Sequence, residues 1–324
     1  MIKAYVRKNG RITDVSLSKG QAPPEGTIWV DLLNPENNER IFISTALGMD
    51  LPTVLEMQEI EASSRLYVDG NATYMTMDVL VGSDTPNPEL DILHIAFTPT
   101  YLVTVRYCEP RSVDLFANRI LSQPELFTTL EDGLLAFLDA ITDRIADILE
   151  ILGRDIDNLS RQVFRRVAAS GKKEKQLQDI LQGIGHAGDT THKIRDSING
   201  MSRLVTFLGP RVTPRLSAEQ LVKFQAVDRD VSSLAEHAQF MGQETSFLLD
   251  ASLGQINIEQ NNILKIMSVV MVAFTPPTFF ASMWGMNFHS MPEYGWEWGY
   301  VMALSVMVIS AIIPLVYFRK RGWL

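Results

Sequence analysis

The polar side chains that fall into a pattern in this chain are neutral oxygens rather than acids, bases or thiolates. Helical spacing from Asn261 collects Leu264, Met267, Met271, Thr275, Thr278 and Ser282 on one face. Val269, Val270, Val272, Phe279 and Phe280 fall on the other side. A carboxamide and three hydroxyls aligned with thioethers form a mildly polar, uncharged stripe. On its own such a stripe serves helix–helix packing more often than the lining of a pore. Pro276-Pro277 removes two backbone donors that would pair with the carbonyls of Val272 and Ala273. Those carbonyls need water or a neighbouring helix, which fits a cavity wall.

Other chemistry falls away. The five histidines (His94, His186, His192, His237 and His289) include no i, i+4 ligand pair. The single cysteine, Cys108, excludes an internal disulfide and a multi-cysteine zinc site. Gly171-Lys172 fails as a phosphate loop, with Arg166 where the first glycine belongs and Lys173 where Ser or Thr belongs. No nucleophile–base pair stands out, so neither an enzyme nor an organic cofactor is expected. A net charge of −9 argues against nucleic acid as a partner.

The 324 residues are 46% hydrophobic and 21% charged, but the charge is unevenly spread. After Lys265 the next charge is Glu293, and Gly299–Phe318 has none. As helix, each block reaches about 30 Å, a bilayer core. Spans are expected at about 266–285 and 299–318. The loop between them has two Glu and no Lys or Arg, whereas Arg319-Lys320-Arg321 follows the second span. The positive-inside rule places the loop outside and both termini in the cytoplasm of a bacterial-type inner membrane. Trp284, Trp296, Trp298 and Tyr300 supply an outer aromatic belt in contact with lipid.

Upstream, residues 1–120 read as an α+β domain. Strands are expected at 2–7, 27–33, 72–81, 90–97 and 101–107, with helices at 36–47 and 53–62. Residues 121–214 read as a helical hairpin. Its first arm is marked by Leu134, Leu138, Ile141, Ile145, Ile148, Leu152, Ile156, Leu159 and Val163, and its second by Leu177 to Leu204. Ser170-Gly171-Lys172-Lys173 breaks the first arm, and Gly209-Pro210 with Pro214 stops the second. Ser217 with Gln220 starts a stalk helix, 215–285, that enters the first span unbroken. The loop is 286–298, the second span 299–318 and the basic tail 319–324. Two spans cannot enclose a pathway, so transport requires a ring of copies. A plain anchor for the cytoplasmic part is the alternative.

Gly285-Met286-Asn287 closes the first span, Met291-Pro292-Glu293 follows in the loop, and the chain ends Tyr317-Phe318-Arg319-Lys320-Arg321-Gly322-Trp323-Leu324. This combination resembles the CorA family of magnesium channels, closely over about the last 64 residues and in architecture before that. The resemblance implies a funnel-shaped homopentamer whose first spans line the pore and whose second spans form an outer ring. Hydrated Mg²⁺ would enter at the Gly-Met-Asn ring, with Asn287 selecting it and Gly285 letting backbones approach. Asn261, Leu264, Met267, Thr275 and Thr278 fall on positions like the family's pore face. Trp284 and Tyr294 depart from the usual tyrosine and aliphatic residue without removing a ligand. Met286 and Glu293 favour the magnesium branch over the zinc-transporting ZntB branch.

Mg²⁺ is hard and slow to lose water. No carboxylate lies between Ile266 and Pro292 to replace that water. The ion is therefore expected to cross largely hydrated, held by outer-shell hydrogen bonds, with Co²⁺ and Ni²⁺ as further candidates. Leu264, Met267 and Met271 would form a constriction that gates by dewetting, while Glu293 and Glu297 would concentrate cations outside. The family closes when cytoplasmic Mg²⁺ sits on acids between subunits. Asp84 falls near one half of that regulatory site. The partner position is Ala226, with Asp228 and Asp230 close by as substitutes. A zinc transporter of the same fold and a non-conducting membrane scaffold or sensor are the alternatives.

Overall fold

The computed structural model describes residues 1–82, 85, 88–164, 173–287, 289, 291 and 295–323. It divides into two compact units, Met1–Leu249 and Asp250–Leu324.

The first unit is built on a seven-stranded sheet. Its strands are β1 (Ile2–Lys8), β2 (Arg11–Leu17), β3 (Thr27–Leu33), β4 (Leu66–Asp69), β5 (Ala72–Val81), β6 (Glu89–Phe97) and β7 (Leu102–Arg106), in the order β2-β1-β3-β7-β6-β5-β4. Only β3 and β7 run parallel. The other neighbouring pairs are antiparallel.

Three of the five expected strands differ by one residue at one or both ends, and β2 and β4 were not expected at all. β2 is an edge strand with only Ile12 buried, so it lacks an apolar alternation. Its turn was nonetheless written in the chain. Asn9 and Gly10 both take positive φ (53° and 75°), the two-residue turn that matches strand twist. β4 is four residues long and half-buried or exposed throughout.

One face of the sheet is covered by α1 (Asn37–Leu47), α2 (Val54–Met57) and α3 (Ala62–Arg65). Ile43, Leu51 and Met57 pack there against Val30, Leu32, Tyr74, Val103 and Val105. Of the helix expected over 53–62 only the short α2 forms, and α3 begins where the expected helix ends. Thr53 and Glu56 cap α2 reciprocally, but Ile60 is 87% exposed, so no buried face carries the helix onward.

The opposite face holds an aromatic cluster. Trp29 stacks on Tyr5 at 4.1 Å and meets Phe116 edge-on at 5.0 Å, and Phe116 meets Phe137 at 4.9 Å. Phe116 comes from α4 (Arg111–Ser122), a helix not expected, and Phe137 from α5 (Leu130–Phe164). Beside them a buried ion pair bridges the parallel strands. Arg106 Nη2 donates to Asp31 Oδ2 at 2.8 Å, and Nε to Oδ1 at 3.0 Å. Thr104 Oγ1 donates to Asp31 Oδ1 at 2.7 Å and accepts from Trp29 Nε1 at 3.0 Å.

Every expected marker of the first arm is buried in α5 except Leu159, which is half-buried. The break expected at 170–173 falls largely outside the described residues. The second arm, α6 (Lys173–Val212), runs through Pro210 instead of stopping there. Leu208 and Val212 are buried at 0% and 3% exposure and hold the last turn, while Pro210 forfeits only one backbone donor. The stop comes at a 3₁₀ turn, Thr213–Arg215, that contains Pro214.

The next helix, α7 (Ala218–Trp284), is 67 residues long and contains Pro276 and Pro277. It opens on the expected reciprocal pair: Ser217 N–H donates to Gln220 Oε1 at 2.9 Å and Gln220 N–H to Ser217 Oγ at 3.3 Å. The second unit holds the later part of α7 and α8 (Gly299–Lys320). Among the described residues, these two helices are long and apolar enough to cross a membrane.

Candidate functional site

Within the second unit the two helices turn specific faces to each other. Val269 and Ala273 of α7 are buried, and Pro276, Pro277, Phe280 and Trp284 are half-buried. At about 100° per residue these six lie on one side of the helix. On α8 the half-buried set is Met302, Ala303, Val306, Met307, Ser310, Ala311, Pro314 and Phe318, again one stripe. Small residues at Ala273, Ala303 and Ala311 let the helices approach.

The polar stripe lies on the other side of α7, about 180° from the covered face. Asn261, Leu264, Met267, Met271, Thr275, Thr278 and Ser282 are all exposed in the single chain. The apolar set expected opposite the stripe divides. Val269 and Phe280 turn toward α8, whereas Val270, Val272 and Phe279 stay exposed at 46%, 45% and 62% on the flanks.

The hydroxyls in the stripe have a defined polarity. Thr275 Oγ1 donates to the Met271 carbonyl at 2.6 Å, and Thr278 Oγ1 donates to the Phe274 carbonyl at 2.8 Å. Their hydrogens are thus spent on the helix, and the oxygens face outward as acceptors. Outward acceptors suit the hydrogens of a hydrated cation and repel a hydrated anion. Between these two threonines lie Pro276 and Pro277, which leave the Val272 and Ala273 carbonyls without an intrahelical donor.

At the end of α7 the backbone loosens. Gly285 N–H reaches the Ala281 carbonyl at 2.9 Å, while Met286 N–H turns to Met283 at 3.4 Å. A Cβ on Gly285 would lie 3.0 Å from the Ala281 carbonyl oxygen, so the chain's own backbone already favours glycine there. Met286 and Asn287 follow, both exposed. Beside them a cleft of about 470 Å³ is lined by Trp284, Gly285, Met291, Trp296, Glu297, Tyr300 and Met307, among others. Met291 thus lies beside Gly285 around one cleft, whereas Pro292 and Glu293 fall outside the described residues.

Of the regulatory candidates, only Asp228 and Asp230 can be described. Asp84 lies outside the described residues. Asp228 and Asp230 are exposed on α7, and two residues apart they point about 200° from each other, so they cannot grip one ion together. Asp230 instead lies near Asp139, on the acid-rich helix α5. Asp139 and Asp143 of α5 share Arg119 of α4 at 3.4 and 3.5 Å. The Asp139 carboxyl is held above the usual range by burial, then by the charge of Asp143, with Arg119 opposing and Asp230 adding. The spacing of Asp139 and Asp143 was readable as one helix face, but Arg119 was not, because α4 had not been expected. Among the described residues, no three His, Cys, Asp or Glu side chains could hold a metal.

Comparison with known proteins adds the following. The family model described as CorA-like Mg²⁺ transporter protein matches residues 24–320. Proteins described as magnesium transport protein CorA align over the whole of both chains: 34% identical in Haemophilus influenzae, 33% in Pasteurella multocida and 31% in Escherichia coli K12. Among solved structures, the complete CorA magnesium transporter of Methanocaldococcus jannaschii superposes with a TM-score of 0.77 at 18% identity, covering 100% of this chain and 99% of that one. The cytoplasmic domain of ZntB from Vibrio parahaemolyticus superposes at 0.57 and 11% identity, over 79% of this chain and 97% of its own.

Proposed function

This chain belongs to the CorA-like Mg²⁺ transporter family, and on that footing we propose that it forms a homopentameric channel for Mg²⁺ uptake. The observation that carries the reading is the uncovered stripe. Seven residues from Asn261 to Ser282 stay exposed on the side of α7 that the chain's own α8 leaves open. A membrane helix with an exposed row of oxygen acceptors needs water or another copy on that side. Five copies turned inward provide both.

In this reading Asn287 carboxamides at the mouth accept hydrogen bonds from the inner water shell of Mg²⁺, flanked by Gly285 and Met286. Binding by neutral acceptors is weak, and weak binding permits release. Deeper in the pore, the Thr278 and Thr275 oxygens repeat the same outer-shell contact. Leu264, Met267 and Met271, exposed at 63%, 51% and 62%, form the apolar narrowing that wets or dries. Asn261 lies beyond it. The loop places Met291, Pro292 and Glu293 at the outer mouth, where Glu293 and Glu297 draw cations in.

The loop faces outward and both termini face the cytoplasm of a bacterial-type inner membrane, as the charge asymmetry requires. No nucleotide is needed, since two positive charges moving inward gain about 4.6 kcal/mol per 100 mV. Co²⁺ and Ni²⁺, of similar charge and hydration, share the path. Cytoplasmic Mg²⁺ closes the channel by bridging acids of neighbouring subunits, with Asp84, Asp228 and Asp230 as candidate ligands. Divergent orientation of Asp228 and Asp230 supports ligands contributed to different neighbours rather than a site within one chain.

The domain plan follows: 1–120 and 121–214 in the cytoplasm, 215–285 as stalk and first span, 286–298 outside, 299–318 as second span and 319–324 as a basic tail. A ZntB-like zinc carrier is the second reading, supported by the fold likeness of the cytoplasmic part. Flux in liposomes decides between them. Mg²⁺ entry driven by potential alone supports the channel, whereas Zn²⁺ entry that needs a proton gradient supports the carrier.

A further inference from the structure

The C-terminal end of α8 carries a basic cluster that lies outside the proposed pore stripe. Arg319, Lys320 and Arg321 are consecutive and exposed, and no acid occurs from Trp298 to Leu324. Cations in a last helical turn ordinarily offset carbonyls left without partners. Here the backbone itself serves three of them, those of Tyr317, Phe318 and Arg319. Arg321 N–H donates to the Tyr317 and Phe318 carbonyls at 3.2 and 3.1 Å, Gly322 N–H to Arg319 at 3.1 Å and Trp323 N–H to Phe318 at 3.1 Å.

This reversal requires Gly322 in the left-handed region, at φ 72°. It folds Trp323 back onto Phe318, ring centroids 5.2 Å apart and nearly parallel. The Arg321 guanidinium lies over the Tyr317 ring at 5.6 Å. Three exposed cations, little needed by carbonyls that the backbone already serves, therefore fan around a helix end beside a stacked aromatic pair. Aromatic rings seat at the glycerol level of a leaflet, and cations just beyond them meet phosphate.

We propose that this capped end of α8 is a binding site for anionic phospholipid. The headgroup phosphate contacts Arg319, Lys320 and Arg321, and the Phe318–Trp323 pair sits at the acyl boundary. The proposal rests on α8 crossing a membrane and not on ion conduction.

The test counts lipids retained by purified full-length protein, by native mass spectrometry, after equilibration with equal phosphatidylglycerol and phosphatidylcholine. Wild type should prefer phosphatidylglycerol by up to about 100-fold, given the usual gain per surface cation. The triple variant R319Q/K320Q/R321Q should fall near parity. Gly322→Ala removes no charge but opposes the left-handed cap, and should lower the preference by about tenfold. Gly322→Asn tolerates that conformation and should keep it. Equal preference in wild type and triple variant overturns the site. An unchanged Gly322→Ala overturns the role of the cap. Displacement of lipid by millimolar inorganic phosphate overturns the lipid assignment, and retention supports it. Asn287→Ala should leave the preference intact while losing Mg²⁺ uptake, so this proposal and the conduction reading fail separately.

Discussion

In the proposed pore, Asn287 offers a neutral acceptor where a carboxylate would bind Mg²⁺ too firmly to release it. Asn287→Ala removes the acceptor and should reduce Mg²⁺ uptake into proteoliposomes at least about tenfold, from losing outer-shell contacts around the proposed ring. Uptake at the wild-type rate would falsify the role given to this residue. His94 tests the first unit instead. It is fully buried, its Nδ1 lies 2.8 Å from Thr76 Oγ1, and burial pushes its pKa down to about 3. A folded-state value below the unfolded 6.5 means that the unfolded chain takes up the proton first. Stability therefore rises with pH through the window from about 3 to 6.5 and is flat above it. Compared with His94→Leu, wild type should lose about 1.4 kcal/mol per pH unit as pH falls below 6.5. Melting curves of the two proteins, taken side by side, check this.

The parallel pair β3–β7 and the spanning part of α7 each make a prediction of their own. Asp31→Ala strands Arg106 in the core and should cost about 3–5 kcal/mol. The double change Asp31→Leu with Arg106→Met should recover most of that loss, and denaturant titration measures both. In α7, Met267→Ser wets the proposed apolar narrowing and should raise Mg²⁺ flux under high internal Mg²⁺, the condition proposed to close the wild type. Flux that stays closed would remove Met267 from the gate. How legible these elements were depended on whether burial followed a period. α5 was readable because its apolar residues recur at 3.6 and nearly all of them are buried. β2 was missed because only Ile12 of seven residues is buried, although Asn9-Gly10 announced its turn. α4 was missed despite Val113, Phe116 and Ile120 at helical spacing after Pro110, a signal short enough to pass for a loop. Pro210 misled in the other direction, since local chain stiffness yielded to the burial of Leu208 and Val212.

Across the protein, the stripe could be traced in the sequence because a helix converts spacing directly into a face. What one chain's spacing cannot supply is the partner that covers that face, and therefore the proposed assembly and the regulatory site proposed between its subunits. The expected pairing of Asp84 with a stalk acid belongs to that class, and Asp228 and Asp230 point apart within a single copy. Ion choice, in this account, is also a property of the proposed ring. Potential-driven flux of Mg²⁺ exceeding that of Zn²⁺, without a proton gradient, is the expected outcome in liposomes. The most direct test of the whole account asks which side of α7 is wet. Cys108 is buried and its thiol is pushed up to about 12, mainly by burial, so the native cysteine offers little background. Thr278→Cys and Val270→Cys should then be compared for modification by a charged, water-soluble thiol reagent during Mg²⁺ flux. Thr278→Cys should react and lose flux while Val270→Cys, facing lipid, stays unmodified. Reaction at position 270 with position 278 protected would contradict a pore lined by this stripe.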